Sequence, residues 1–186
     1  MKAINKKMSS VPSVVALAAM ALLGCVSPGD VNQKPIDKPY AAGSPSGGIP
    51  LWKPGEKFVA IAGGACLGTC PVYELYVFDD GRVVFSGKKN TSKSGVFNKQ
   101  LEKSVYAELL ATIVRTGVLE DAIKRGTCLS DRPMLTVMRS APGGQTVRTA
   151  SLNTGCEGHE DIAKQIESQF LLFTETESWI ATSKRF

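Results

Sequence analysis

VYELYVFDDGRVVFSG, residues 72–87, decides the fold. Tyr73, Leu75 and Val77 alternate with Glu74 and Tyr76, the two-residue period of a strand with unlike faces. Asp79-Asp80-Gly81 is turn chemistry, because glycine reaches positive φ without a Cβ penalty. Val83 and Phe85 then resume the alternation. With the turn centred near Asp80, Val77 opposes Val83 and Leu75 opposes Phe85, so two apolar pairs share one face. Tyr76, Phe78 and Val84 fall on the other face. Either a second layer covers them or they form an exposed apolar surface for a partner, and we take Tyr76, Phe78 and Val84 as the candidate partner surface.

Working outward, Phe58 to Ile61 is a short apolar strand. Leu101 to Thr116 shows Leu101, Val105, Leu109 and Ile113 every four residues, with Leu110 and Val114 widening the stripe of an amphipathic helix. Asn98 is its expected cap and Gly117 its C′ residue. Met134 to Arg139 and Thr146 to Leu152 form a second hairpin around Ala141-Pro142-Gly143-Gly144, pairing Val137 with Val147. Glu160 to Phe173 is a second helix, with Ile162, Ile166, Phe170 and Phe173 on one face. A last turn over Glu177 to Ala181 docks Trp179 and Ile180. The expected fold is α+β: an antiparallel sheet built from two hairpins, with two amphipathic helices packed on it.

The N-terminus assigns a compartment. Lys2, Lys6 and Lys7 precede an apolar run from Val11 to Gly24, the layout of a secretory signal. A membrane span needs about 20 apolar residues, and this run is shorter. Leu22-Leu23-Gly24-Cys25 resembles the lipobox of bacterial lipoproteins. The resemblance implies cleavage of a signal peptide over residues 1–24 and attachment of diacylglycerol to Cys25, with palmitate-type acylation of the new amino group. Together the chains give firm membrane anchorage. Val26 stands where an aspartate would favour retention in the inner membrane. The pattern therefore implies an outer-membrane lipoprotein facing the periplasm. Loss of Lys2, Lys6 and Lys7 lowers the net charge from +5 to +2, so the basicity is no argument for nucleic acid.

Residues 25–55 comprise this cysteine and a Pro/Gly/Ser-rich tether, too poor in apolar residues to fold alone, with a reach of roughly 30 Å. Tyr40, Ile49, Leu51 and Trp52 are its apolar exceptions, and Leu51 and Trp52 are expected to pack onto the domain. Residues 56–186 are long enough for one domain with a core of its own.

Four further cysteines, Cys66, Cys70, Cys128 and Cys156, are expected to pair in an exported chain. A hairpin register that opposes Val137 to Val147 also opposes Cys128 to Cys156, unless Pro133 or Gly155 breaks it. Cys66 and Cys70 would then close a tight loop. Redox dithiols are typically C-x-x-C at a helix N-terminus; here the spacing is C-x-x-x-C, followed by Pro71 and a strand. A structural bond is favoured, with thiol–disulfide exchange through Cys66 and Cys70 as an alternative. No metal site or cofactor is expected. A zinc site using Cys156 and His159 would need further ligands, and His159 reads as a solvated residue in the first turn of the last helix.

Cys66-x-Gly68-x-Cys70-Pro71-x-Tyr73, the alternating strand and the Asp80-Gly81 turn resemble a bacterial family of domains of unknown function, number 6438. The resemblance runs over most of residues 57–181, including Asp131-x-Pro133 and the closing Trp179-Ile180. It implies the fold and leaves the function open.

No GxSxG, HExxH, phosphate-binding loop or paired-carboxylate motif occurs, and one histidine leaves little for acid–base catalysis. The expected function is a non-catalytic binding domain on a lipid-anchored envelope lipoprotein, with a periplasmic protein or cell-wall component as partner. A narrower alternative is an inhibitor or immunity lipoprotein against a periplasmic toxin or hydrolase.

Overall fold

The computed structural model describes residues 51–120, 127–129 and 131–180. The expected signal peptide, Cys25, Tyr40 and Ile49 lie outside the described residues. Among the described residues six strands and three helices follow in chain order: β1 Phe58–Gly63, β2 Val72–Phe78, β3 Arg82–Lys89, β4 Gly95–Gln100, α1 Ser104–Thr116, β5 Met134–Ser140, β6 Val147–Asn153, α2 His159–Thr174 and α3 Glu177–Ile180. The strands form one antiparallel sheet in the order β4-β3-β2-β1-β5-β6. The α+β expectation therefore stands, with a larger sheet than two hairpins provide.

The first hairpin has the expected register, Val77 opposite Val83 and Leu75 opposite Phe85. Gly81 takes φ +88° in its turn. Tyr73, Leu75, Val77, Val83 and Phe85 enter the main core, where Leu109 and Ile113 of α1 and Ile166 and Phe170 of α2 meet them. Burying a side chain of this size contributes roughly 1.5–3 kcal/mol. Trp179 and Ile180 of α3 close the same core, with the Trp179 ring edge-on to Phe85 at 5.6 Å.

Two expectations need correction. Residues 95–100 form β4, and Asn98 pairs with Val84 in the ladder rather than capping a helix. Helix α1 begins at Ser104, without a side-chain cap, and ends at Gly117 with φ 65° as expected. Leu101 instead anchors the turn, its N–H donating to the Gly81 carbonyl at 2.9 Å. In the second hairpin Val137 opposes Ala150, three positions from the expected Val147. The reason is the connection, six residues from Ala141 to Thr146, closed by Ala141 N–H to Thr146 O at 2.8 Å. Its centre lies between Gly143 and Gly144, both at positive φ, rather than at Pro142.

The opposite face of the sheet carries a second apolar cluster of Phe58, Ala60, Tyr76, Phe78, Val84 and Met138, joined by Leu51 and Trp52. Among the described residues no helix is long and apolar enough to cross a membrane.

Candidate functional site

Tyr76, Phe78 and Val84 present no surface to a partner: they are 0%, 1% and 1% exposed. Alternation sends them to the second cluster, where Phe58 packs on Tyr76 at 5.3 Å and Trp52 on Phe58 at 5.3 Å. The Arg82 guanidinium stacks 3.7 Å from the Phe78 ring centroid and donates to Glu56 Oε1. The expected partner surface is thus core.

The exposed apolar residues lie elsewhere. Gly63, Tyr73, Gly87, Met134 and Asn153 mark one end of the sheet through the pairings Gly63–Tyr73, Tyr73–Gly87 and Met134–Asn153. Both disulfides sit in loops at this end. Cys66–Cys70 closes the β1–β2 connection, and Cys128–Cys156 joins the approach to β5 with the exit from β6. Leu67, inside the first loop, is 79% exposed; Leu129, beside the second bond, is 58% exposed; Met134 is 43% exposed.

Hydrogen bonds fix both loops to the sheet. Asn90 Nδ2 donates to the Cys70 carbonyl at 3.1 Å, with Asn90 itself at φ 55°. Gly64 N–H donates to Met134 O at 2.8 Å, and Leu129 N–H to Gly155 O at 3.0 Å. The Pro133 carbonyl accepts from both the backbone and the hydroxyl of Thr154. Asn153 Oδ1 accepts from Gly155 N–H at 2.8 Å.

Between the second disulfide loop and α2 opens a cleft of about 690 Å³. Arg132 and Lys164 line it together with Glu157, Glu160, Asp161 and Glu167. Lys164 Nζ bonds Glu160 Oε1 at 2.6 Å, which holds the Glu160 carboxyl below its ordinary pKa and the Lys164 ammonium above its own. Glu167 accepts from the Tyr73 hydroxyl at 2.6 Å, tying the cleft to the core. Cys156 contributes only as a disulfide sulfur, and the Thr154 hydroxyl is spent on Pro133. The lining suits recognition of a mixed polar surface.

His159 is buried, 3% exposed, as the first residue of α2 rather than a solvated one. Neither ring nitrogen has a hydrogen-bond partner among the described residues. The described residues contain no group of three side chains suited to a metal. Sequence reasoning missed Leu67, Leu129 and Met134. The signal was a leucine held between two cysteines four apart, a position with no room to fold inward.

Residues 57–170 match the family model described as "Domain of unknown function (DUF6438)", more than half of the chain, and the chain belongs to that family. The match stops short of Trp179 and Ile180. No curated protein matches the chain.

Proposed function

We propose that this DUF6438 protein is an exported lipoprotein, held in the outer membrane through lipid on Cys25, whose domain is a non-catalytic binding module facing the periplasm. Its partner is a periplasmic protein or a cell-wall component, engaged through the disulfide-braced end of the sheet. The observation that carries this reading is the placement of Leu67, Leu129 and Met134 in water on segments closed or flanked by disulfides. An apolar side chain on a covalently closed loop loses little conformational freedom on binding, which raises affinity. The mixed charges of the adjacent cleft suit a polar rim around such anchors. Two paired disulfides accord with an oxidising compartment.

Photocrosslinking in living cells tests it. A probe at Leu67 and a probe at Leu129 should capture the same species, and a probe at Leu172, exposed on α2, should not. Equal capture from all three positions would remove the proposed surface. Palmitate labelling, abolished by Cys25→Ala, tests the anchor separately.

The inhibitor or immunity role is a narrower form of this reading. The projection of Leu67 from a five-residue covalent loop favours it, since preformed loops bind with little backbone rearrangement. Complex formation with a purified periplasmic hydrolase or toxin, lost in Leu67→Asp, would select that form.

A further inference from the structure

Arg132 is exposed, yet its stem has a fixed seat. A Cβ on Gly155 would lie 2.6 Å from Arg132 Cγ and 2.7 Å from the Leu129 carbonyl oxygen. Gly155 does not take positive φ, so its backbone does not call for glycine; the close approach of Arg132 and Leu129 does. Leu129 N–H, donating to Gly155 O at 3.0 Å, and the Cys128–Cys156 bond hold the two segments together. Seated so, Arg132 lines the cleft beside α2, and its charge reaches Glu160 on the helix. The charges of the cleft are only partly matched. Lys164 is taken by Glu160, and Glu167 by the Tyr73 hydroxyl. Arg132, Glu157 and Asp161 make no ion pair and no side-chain hydrogen bond among the described residues. Arg132 and Lys164 face four carboxylates, those of Glu157, Glu160, Asp161 and Glu167, so the lining is net −2.

A simple anion is repelled by that excess, and a simple cation leaves the seated guanidinium opposed. A ligand carrying both signs satisfies both. The cleft volume of about 690 Å³ lies within the roughly 300–1,000 Å³ of small-ligand sites. We propose that the cleft binds a short peptide bearing both a free carboxylate and a free amine, with the carboxylate on Arg132 and the amine on Glu157 and Asp161. Both ligand groups are charged at neutral pH. The guanidinium offers the carboxylate two parallel donors, and Leu129 and Pro133 of the lining give the peptide apolar contact. An uncrosslinked cell-wall peptide has this chemistry. The proposal rests on the reading of this end of the sheet as a binding surface, and within that reading it selects the cell-wall component as the partner.

The test is calorimetric titration of the full chain, oxidised and in detergent, with the N-acetylated peptide Ala-γ-D-Glu-Lys-D-Ala, whose lysine amine and C-terminal carboxylate are free. Saturable binding is expected. Acetylating the lysine amine or amidating the C-terminus should each weaken it about tenfold, the loss of one charge-assisted contact. Arg132→Gln should bind the free peptide about tenfold more weakly and lose its response to amidation. Glu157→Gln/Asp161→Asn should lose its response to acetylation instead. Both variants should melt with the parent, as exposed substitutions do. No binding by the parent at millimolar peptide, or capped peptides that bind as well as the free one, would overturn the site. So would variants that bind weakly but respond to both caps as the parent does. Purified cell-wall sacculi should compete with the peptide; failure to compete would overturn the cell-wall source and point to the terminus of a protein. Capture in cells from Leu67 and Leu129 without peptide binding would leave the surface standing and remove the cleft ligand, so the two readings fail separately.

Discussion

Cys128 stands opposite Cys156 as a single antiparallel bridge closed by a disulfide, yet it is out of step with the β5–β6 ladder beside it. Within the ladder Met134 pairs with Asn153; continuing that register would carry Cys128 past Cys156. The three-residue discrepancy is absorbed between Pro133 and Gly155. There the Pro133 carbonyl takes both Thr154 donors, and the Asn153 side chain accepts from Gly155.

The two disulfides should differ in what they contribute. Cys128–Cys156 spans 28 residues and Cys66–Cys70 spans 4. On the chain-entropy model the first stabilises by roughly 3–4 kcal/mol and the second by roughly 2 kcal/mol. Denaturant titration of Cys128→Ala/Cys156→Ala against Cys66→Ala/Cys70→Ala should show the larger loss for the first pair. The reverse order would mean that the β1–β2 loop holds the core together.

Gly81→Ala should destabilise by about 1–2 kcal/mol or more, for two reasons that add. The turn needs φ +88°, where a Cβ is strained. A Cβ there would also collide with the Leu101 carbonyl and crowd Gln100 Nε2 at 2.8 Å. Thermal unfolding of Gly81→Ala beside Gly117→Ala separates the effects, since Gly117 has positive φ but open space around it. Equal losses would eliminate the packing contribution.

The first hairpin was legible because its turn is short and each face has one character. Val77–Val83 and Leu75–Phe85 admit no other register that keeps both pairs buried. β4 was not legible: Val96 and Phe97 are followed by Asn98, Lys99 and Gln100, and as an edge strand it is half-buried with no strict alternation. The second hairpin misled because Gln145 and Thr146 belong to the turn. Gly144 is placed by a contact remote in sequence, accepting from Gly55 N–H at 2.9 Å. The disulfide Cys128–Cys156 was reached through that incorrect register, and it forms because the ladder breaks where proline and glycine interrupt it. For the candidate site, alternation put Tyr76, Phe78 and Val84 on the second face, but covering that face depends on residues outside the strands.

Tyr76 should make the fold lose stability in alkali. Burial, assisted by the nearby Glu74 carboxylate, pushes its hydroxyl above the ordinary tyrosine pKa of 10.0. The folded chain therefore keeps a proton that the unfolded chain releases. The stabilisation is complete below about pH 10 and is lost above it, at up to about 1.4 kcal/mol per pH unit. Urea midpoints measured from about pH 8 to 11 should fall at the upper end, and Tyr76→Phe should flatten the fall. An unchanged slope in Tyr76→Phe would assign the lability to another group, with half-buried Tyr106, also raised by burial, the next to replace.

Opening the Cys66–Cys70 loop should weaken partner binding more than it weakens the fold. Leu67 is mostly in water, so the loop contributes little packing, and the Asn90 bond to Cys70 O survives loss of the sulfurs because it uses the backbone. What disappears is the restriction that holds Leu67 outward. Re-ordering a freed loop and its side chain on binding costs about 1–2 kcal/mol, roughly a tenfold loss of affinity. Leu67→Asp, by contrast, should abolish capture while changing stability by less than about 0.5 kcal/mol, as for an exposed substitution. Capture yields for Cys66→Ser/Cys70→Ser measured from the Leu129 probe, with melting temperatures of the same variants, decide it. Full capture by the loop-opened variant would show that the first disulfide serves stability alone and would leave the Cys128–Cys156 side of the cleft as the contact surface.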